Sequence, residues 1–158
     1  MDILSLFSPE RIACETEVSS KKRAIERLAT MLANAQSGIS TKTVFDALIN
    51  REKLGSTTLG NGVAIPHACL PISKPSAALL LLQEGIGMDA PDKKPVQLFV
   101  ALLVPNNRES SHADLITELA GVLQHKSTME QLEQLHSPSS LMDYLAVLFS
   151  PPEQRIAA

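Results

Sequence analysis

The chain has 158 residues, of which 44% are hydrophobic and 20% charged, as is typical of a single globular domain and not of a disordered segment. Its net charge of -3 and its 3% of aromatic residues argue against a nucleic-acid-binding protein, which needs a basic surface or rings that stack on bases. The low cysteine content, the lack of any apolar run near the ~20 residues of a membrane helix and an N-terminus unlike a signal peptide predict a cytoplasmic protein without membrane insertion.

Two amphipathic helices are predicted in the first third of the chain, at 21–35 and 41–53. A serine can cap the start of each helix, and a glycine follows the end of the second. The first turn of the earlier helix is basic, although the helix dipole disfavours positive charge there. Two interpretations of Lys21, Lys22 and Arg23 stay open: an ordinary solvated helix end, or a docking patch for an acidic partner.

The rest of the chain alternates strands and helices. Continuous aliphatic runs predict two buried strands, at 76–83 and 96–104, with glycine and proline turn signals between them. The spacing of apolar residues predicts further helices at 112–124 and 128–135, and a last helix that opens at Pro138. This alternation around an aliphatic sheet indicates an α/β fold.

The stretch GSTTLGNGVAIPHACL, at 55–70, combines glycines, hydroxyl side chains and a histidine. It is not a nucleotide-binding P-loop, because Asn61 and Gly62 follow Gly60 where a lysine and a hydroxyl residue belong. It also lacks the third small residue of a dinucleotide-binding fingerprint. A serine hydrolase would need the G-x-S-x-G elbow, which is absent around Ser56.

Metal ligands are a further possibility for this stretch. His67 and Cys69 are two residues apart, and His112 would be a third ligand from a distant part of the chain. Three scattered ligands without a familiar spacing are weak support for a metal centre, since such centres show clustered spacing. We therefore expect neither a metal nor a cofactor.

A phosphoryl acceptor fits the chemistry of these residues better. The imidazole of His67 is a good nucleophile near pH 7, since the usual pKa of histidine is ~6.5, and a proline stiffens the backbone before it. Ser56 and Thr57 can donate hydroxyl groups to phosphoryl oxygens, and Arg51 can supply a guanidinium group. His112 begins a predicted helix, where backbone N–H groups favour anions. On these residues alone, a histidine that is merely hydrogen-bonded within a turn stays open.

The motif REKLGST at 51–57, followed by GNGVAIPH at 60–67, resembles the IIA component of the bacterial phosphoenolpyruvate phosphotransferase system. It is similar to the fructose/mannitol-type superfamily, and within it to the nitrogen-regulatory branch. The likeness extends over nearly the whole chain and includes SKKRAIERLA at 20–29, ALLVP at 101–105 and His112.

The resemblance implies a fold and a role for each site residue. His67 would accept the phosphoryl group, His112 would support it, and Arg51 would be the charged residue beside them. The hydroxyl groups of Ser56 and Thr57 would bind phosphate together with Arg51. The fold would be a central mixed β-sheet flanked by helices, in one IIA domain at 1–150 with a flexible tail at 151–158.

The resemblance also implies partners. The donor would be a nitrogen-type histidine phosphocarrier protein, charged by its own enzyme I from phosphoenolpyruvate. The phosphorylation state would regulate target proteins such as potassium-transport or sensor components. Two alternatives stay open: a sugar-specific IIA protein that feeds a permease, and a non-catalytic binding module on the same fold. Ala68 and Cys69 depart from the family pattern, in which a basic residue often follows the histidine.

Overall fold

A computed structural model describes residues 3–15, 18–87, 91–106 and 111–149, without the side chains of Ser111 and His112. The predicted tail at 151–158 lies outside the described residues. The chain opens with two short 3-10 helices, Ile3–Leu6 and Pro9–Arg11. The strands are β1 (Ile12–Glu15), β2 (Thr58–Gly60), β3 (Val63–Ala64), β4 (His67–Leu70), β5 (Ser76–Ile86) and β6 (Val96–Pro105). The helices are α1 (Lys21–Asn34), α2 (Thr41–Leu54), α3 (Ser111–Leu123), α4 (Lys126–Leu132) and α5 (Pro138–Phe149).

The six strands form one mixed sheet around β6. The strand order is β1-β5-β6-β3-β2, and β4 pairs with β6 beyond the end of β3. β5 and β6 are antiparallel, whereas β3 and β4 run parallel to β6 and β1 runs parallel to β5. The structure thus confirms an α/β fold with a central mixed sheet flanked by helices.

Helices cover both faces of the sheet. α1 and α2 pack on one face together with Phe99, Ala101 and Leu103 of β6. α3, α4 and α5 pack on the other face, with the alternate residues of β6 such as Leu98 and Leu102. β5 and β6 are therefore buried on both sides, which explains why their sequences read as unbroken aliphatic runs.

The two predicted N-terminal helices are confirmed with their caps. The Ser20 hydroxyl oxygen accepts the backbone N–H of Arg23, and the Ser40 hydroxyl oxygen accepts the backbone N–H of Thr43. The three later helices also form, within a few residues of their predicted ends. Among the described residues, no helix is both long and apolar enough to cross a lipid bilayer.

The end of β5 differs from the prediction, which placed a turn from residue 85 onward. β5 continues to Ile86, and its pairing with β6 shifts register between Leu81 and Ile86. Gly85 makes this continuation possible, because a Cβ there would lie 2.7 Å from the Cβ of Pro95. A glycine that reads as a turn signal in sequence is here a point of close contact between two strands.

Substitution of Gly85 by alanine should lower the free energy of unfolding by about 1–3 kcal/mol, because the added methyl group overlaps Pro95 and crowds Gln97. Urea denaturation measures the change. Gly87→Ala is the matched control, since a Cβ at that position meets nothing within 4 Å. Equal stability of the two variants would contradict the steric argument.

Candidate active site

A tight turn and a backbone hydrogen bond hold the segment that leads to His67. The tight turn before β3 uses three consecutive residues with positive φ, Gly60 (98°), Asn61 (56°) and Gly62 (80°). The Ile65 N–H then donates to the Thr57 carbonyl at 3.0 Å. These contacts place the start of β4 beside Leu102, in the second half of β6.

The pairing of β4 with β6 sets the direction of the His67 side chain. His67 lies opposite Leu102 in the parallel register, and Leu102 faces the layer of α3, α4 and α5. Neighbouring strands present paired residues to the same face of a sheet. His67 and Cys69 therefore lie on the α3 face, whereas Ala68 packs toward α2.

The His67 ring has one nitrogen engaged and a defined tautomer. Its Nδ1 lies 2.8 Å from the carbonyl oxygen of Ile65. A carbonyl oxygen can only accept, so Nδ1 carries the proton and donates it. In the neutral ring the lone pair is then on Nε2, and Nε2 is the nucleophilic atom.

The surroundings keep the His67 ring neutral. Burial lowers the pKa of His67 below its ordinary value, and the positive charge of Arg51 lowers it further. The bond to the Ile65 carbonyl and the negative charge of Glu52 oppose this shift in pKa. The net direction is downward, so the ring carries a free lone pair at neutral pH.

Arg51 lies in the last turn of α2, within electrostatic range of His67. It is half-buried, and its Nη1 donates to the carbonyl oxygen of Gly55 at 2.9 Å. This bond folds the guanidinium group back over the end of its own helix. A guanidinium group has five N–H donors, and the bond to Gly55 uses one of them.

Glu52 is the buried carboxylate that organises the loop after α2. Its side chain is 3% exposed, and its Oε2 lies 3.1 Å from Nζ of Lys21. Its Oε1 accepts both the hydroxyl of Thr57 and the backbone N–H of Thr57, the latter at 3.1 Å. One carboxylate therefore joins the first turn of α1, the last turn of α2 and the loop before β2.

The predicted phosphate-binding hydroxyls differ in their surroundings. Thr57 is buried, and its hydroxyl donates to Glu52. Ser56 is exposed, and its Oγ lies 2.7 Å from the hydroxyl oxygen of Thr58, whose backbone N–H it also accepts at 3.2 Å. Phosphate binding by both residues stays a prediction, but only Ser56 presents its hydroxyl at the surface.

His112 lies in the first turn of α3, and its side chain lies outside the described part of the structure. Helix α3 lies on the same face of the sheet as the His67 side chain, because Leu115 is buried in the same cluster as Leu102, which pairs with His67 in the sheet. The topology thus brings the start of α3 and His67 to one face of the sheet, and direct contact between the two histidines stays a prediction. Among the described residues, no group of three or more histidine, cysteine or acidic side chains is arranged to hold a metal ion.

Sequence reasoning missed the role of Glu52. The signal was present, since an acidic residue in a predicted last helical turn is unfavourable beside the negative end of the helix dipole. Such a residue needs a specific partner, and the structure supplies Thr57 and Lys21.

Replacement of Glu52 by alanine should lower the free energy of unfolding by about 1–3 kcal/mol, because the buried donors of Thr57 lose their acceptor. Glu26→Ala is the matched control. It removes a helical glutamate of α1 that makes a surface ion pair with Arg23 at 3.6 Å, and should cost less than about 1 kcal/mol. Chemical denaturation of both variants makes the comparison, and a Glu52→Ala protein as stable as the control would contradict the buried role.

A proton NMR titration of the His67 ring should give a midpoint below the ordinary value of 6.5. The midpoint should fall further in Glu52→Gln and rise in Arg51→Gln, since these changes remove opposite charges. As pH falls below 6.5, the unfolded chain takes up the proton before the folded chain does, so stability should decrease over that interval. A shift in the same direction for both variants would exclude this electrostatic account.

The chain matches known proteins along most of its length. The family profile "Phosphoenolpyruvate-dependent sugar phosphotransferase system, EIIA 2" matches residues 5–147. A nitrogen regulatory protein from Pseudomonas aeruginosa is 34% identical over 86% of this chain and 89% of its own length. A fructose-specific EIIA component from Haloferax volcanii is also 34% identical, over 92% of this chain and 95% of its own length. The crystal structure of nitrogen regulatory protein IIA-Ntr from Neisseria meningitidis superposes with a TM-score of 0.83 at 39% identity, and covers 89% of this chain and 97% of that one. The chain therefore belongs to the EIIA 2 family of the phosphotransferase system, among relatives that include the nitrogen regulatory proteins.

Proposed function

We propose that this chain is a nitrogen-regulatory IIA protein that accepts a phosphoryl group on Nε2 of His67. The observation that supports this most directly is the bond from Nδ1 to the Ile65 carbonyl, which leaves Nε2 as the basic nitrogen of the neutral ring. The donor is a nitrogen-type histidine phosphocarrier protein, itself charged by enzyme I from phosphoenolpyruvate, in the cytoplasm. The phosphorylated and unphosphorylated forms then act differently on target proteins.

The transfer step needs no added base. The lone pair on Nε2 forms a bond to phosphorus as the nitrogen–phosphorus bond of the donor breaks, and that electron pair returns to the donor ring. The His67 ring becomes positively charged and keeps its Nδ1 proton, which the Ile65 carbonyl continues to accept. The negative charge of Glu52 favours this charged ring, since it favours the protonated ring for the same reason.

The other side chains near the His67 ring contribute to phosphoryl transfer in different ways. The guanidinium of Arg51 stabilises charge on the equatorial phosphoryl oxygens, and the exposed hydroxyl of Ser56 is a second donor. Thr57 contributes chiefly through its buried bonds to Glu52, which hold the loop in place. His112, in the first turn of α3, supports the phosphoryl group on His67.

The regulatory output is favoured over a sugar-specific one. Two of the similar proteins, from Pseudomonas aeruginosa and Neisseria meningitidis, are nitrogen regulatory proteins, whereas the Haloferax volcanii relative, at the same 34% identity as the Pseudomonas aeruginosa protein, is fructose-specific. The fructose-specific relative suggests the alternative function, which is a IIA protein that passes its phosphoryl group to a fructose-type permease. Targets such as potassium-transport or sensor components follow from the regulatory assignment.

Incubation with phosphoenolpyruvate, enzyme I and the carrier protein should place an acid-labile, alkali-stable label on the chain. His67→Ala should abolish the label, and Arg51→Ala and His112→Ala should each slow its formation by about tenfold or more through lost transition-state stabilisation. Rapid-quench measurement gives the rates, and nitrogen-15 NMR of the labelled ring reports which nitrogen carries phosphorus. Label on Nδ1, or an unchanged rate in His67→Ala, would contradict the mechanism.

The same reaction mixture distinguishes a regulatory IIA protein from a sugar-specific one and from a non-catalytic module. Addition of fructose-type permease components and fructose should yield little sugar phosphate compared with a sugar-specific IIA protein. Sugar phosphorylation at an equal rate would establish the alternative. A non-catalytic module would accept no label, and its partner binding would be identical before and after treatment with the donor.

A further inference from the structure

A polar cavity of about 690 Å³ lies at the end of the sheet where β5 begins. It is bordered by both 3-10 helices, the segment after α1 and the loop between β4 and β5. Among the described residues, no acidic side chain and no residue of the candidate active site contributes to its lining. The polar part of that lining includes two cations, a glutamine and several serines: Arg11, Lys74, Gln36, Ser37, Ser73 and Ser76. A cavity of this size can hold a whole small molecule.

Arg11 is the strongest indication that the cavity binds an anion. Its guanidinium group is half-buried and held in place, since Nε donates to the Ala77 carbonyl at 3.1 Å and Nη2 donates to the Leu6 carbonyl at 3.0 Å. Within the described ranges, no carboxylate oxygen lies within 4.0 Å of this group. Burial lowers the pKa of Arg11, and the negative charge of neighbouring Glu10 only opposes that shift. The N–H donors that the two carbonyls leave over can bind an anion in a fixed geometry.

Lys74 brings a second positive charge to the same cavity. The loop that carries it is attached to the end of α1, because Nε2 of Gln36 donates to the Lys74 carbonyl at 3.2 Å. Its ammonium group makes no ion pair in the part of the chain that the structure describes. The end of α1 also borders the cavity, and the helix dipole disfavours an anion there. Two full positive charges exceed the partial charge of about half a unit at a helix end, so the cavity still attracts anions.

The serines favour a ligand that has hydroxyl groups of its own. Ser76 is only 5% exposed, and its Oγ accepts Nε2 of Gln36 at 3.3 Å. The hydroxyl hydrogen of Ser76 has no acceptor among the residues described, so it can donate to a ligand. Ser37 and Ser73 are exposed, and each hydroxyl can both donate and accept. The described lining contains no aromatic ring, so a nucleobase would have nothing to stack on.

We propose that this cavity is a binding site for a small phosphorylated sugar, separate from the phosphoryl-acceptor site. Arg11 and Lys74 bind the phosphate group, and the serine hydroxyls bind the hydroxyl groups of the sugar. Binding is non-covalent, and the phosphate of the ligand is not transferred to His67. The proposal therefore does not depend on the proposed function.

The arrangement favours a phosphorylated sugar over other anions. A guanidinium group presents its N–H donors in a planar fork that matches the oxygens of phosphate, and an ammonium group adds a point charge. A free phosphate ion would meet the two cations and leave the serine hydroxyls of the cavity to water. A nucleotide would supply the phosphate but would place its base against aliphatic and polar side chains.

Isothermal titration calorimetry of the full chain tests the proposal with glucose 6-phosphate, ribose 5-phosphate and glycerol 3-phosphate as probes. At least one of them should bind at least tenfold more tightly than inorganic phosphate, succinate or adenosine monophosphate, and glucose should not bind. Lys74→Gln should weaken binding by about tenfold or more, and so should Arg11→Lys, which keeps the charge but loses the fork. The matched control is Lys94→Gln, beside a depression next to α4, and it should leave the affinity unchanged.

Two further measurements guard against an effect on folding. Thermal unfolding identifies a variant that is merely destabilised, and Ser76→Ala, a small change at a buried position, should weaken the sugar phosphates several-fold without weakening inorganic phosphate. In NMR spectra of the wild type, the probe should shift the backbone amide signals of residues 35–37 and 72–76 more than those of residues 51–57.

The other results would overturn the proposal. They are no binding of any sugar phosphate, equal binding of inorganic phosphate, or an affinity that Lys74→Gln and Arg11→Lys leave unchanged. His67→Ala should bind the probes as the wild type does, and loss of binding in that variant would place the anion at the phosphoryl-acceptor site instead. A chain that binds a sugar phosphate here but accepts no label from the carrier protein would overturn the proposed function and leave this site standing.

Discussion

The pairing of β6 with three other strands is the constraint on which the remaining structure depends. β6 is antiparallel to β5, and it holds β3 and β4 in succession along its other edge. Because both of its faces are buried, its position cannot shift without disturbing two cores. His67 begins β4 and therefore takes its place and direction from the centre of the protein. The His67 side chain is thus positioned by the pairing of β4 with β6, rather than at a loop tip.

Glu52 extends this rigidity to the loop that surrounds the site. Its carboxylate contacts Lys21 and Thr57, and it thereby links the two helices of one layer to the segment before β2. Arg51, the adjacent residue, bonds back to the helix end through Gly55. One short motif therefore holds two side chains with different roles: Arg51 is proposed to act on the phosphoryl group, and Glu52 binds the loop through Thr57. The opposite signs of their effects on the pKa of His67 follow from this arrangement.

Much of this architecture could be predicted from the sequence, and the features that could not be predicted have identifiable physical causes. Helices α1 and α2 were predicted because caps and apolar spacing agree, and β5 and β6 because burial on both faces leaves continuous aliphatic runs. The short strands β1 to β4 were not predicted, since two to four residues are too few to show a period and their pairing depends on distant β6. The histidine and arginine of the site could be named from the motif. The tautomer of His67 and the bonds of Glu52 could not, because they depend on where the backbone carbonyl of Ile65 and the donors of Thr57 come to lie.

The hydrogen bond from His67 to Ile65 also bears on how long a phosphoryl group would stay. A ring that keeps its Nδ1 proton after attack is a positively charged leaving group, and such a group departs more readily than a neutral imidazole. The carbonyl that orients the ring for loading would therefore also keep the nitrogen–phosphorus bond weak. In the proposed reaction the loaded form would be a short-lived store of high transfer potential, so its abundance would follow the supply of phosphorylated donor closely and would decay soon after that supply stops.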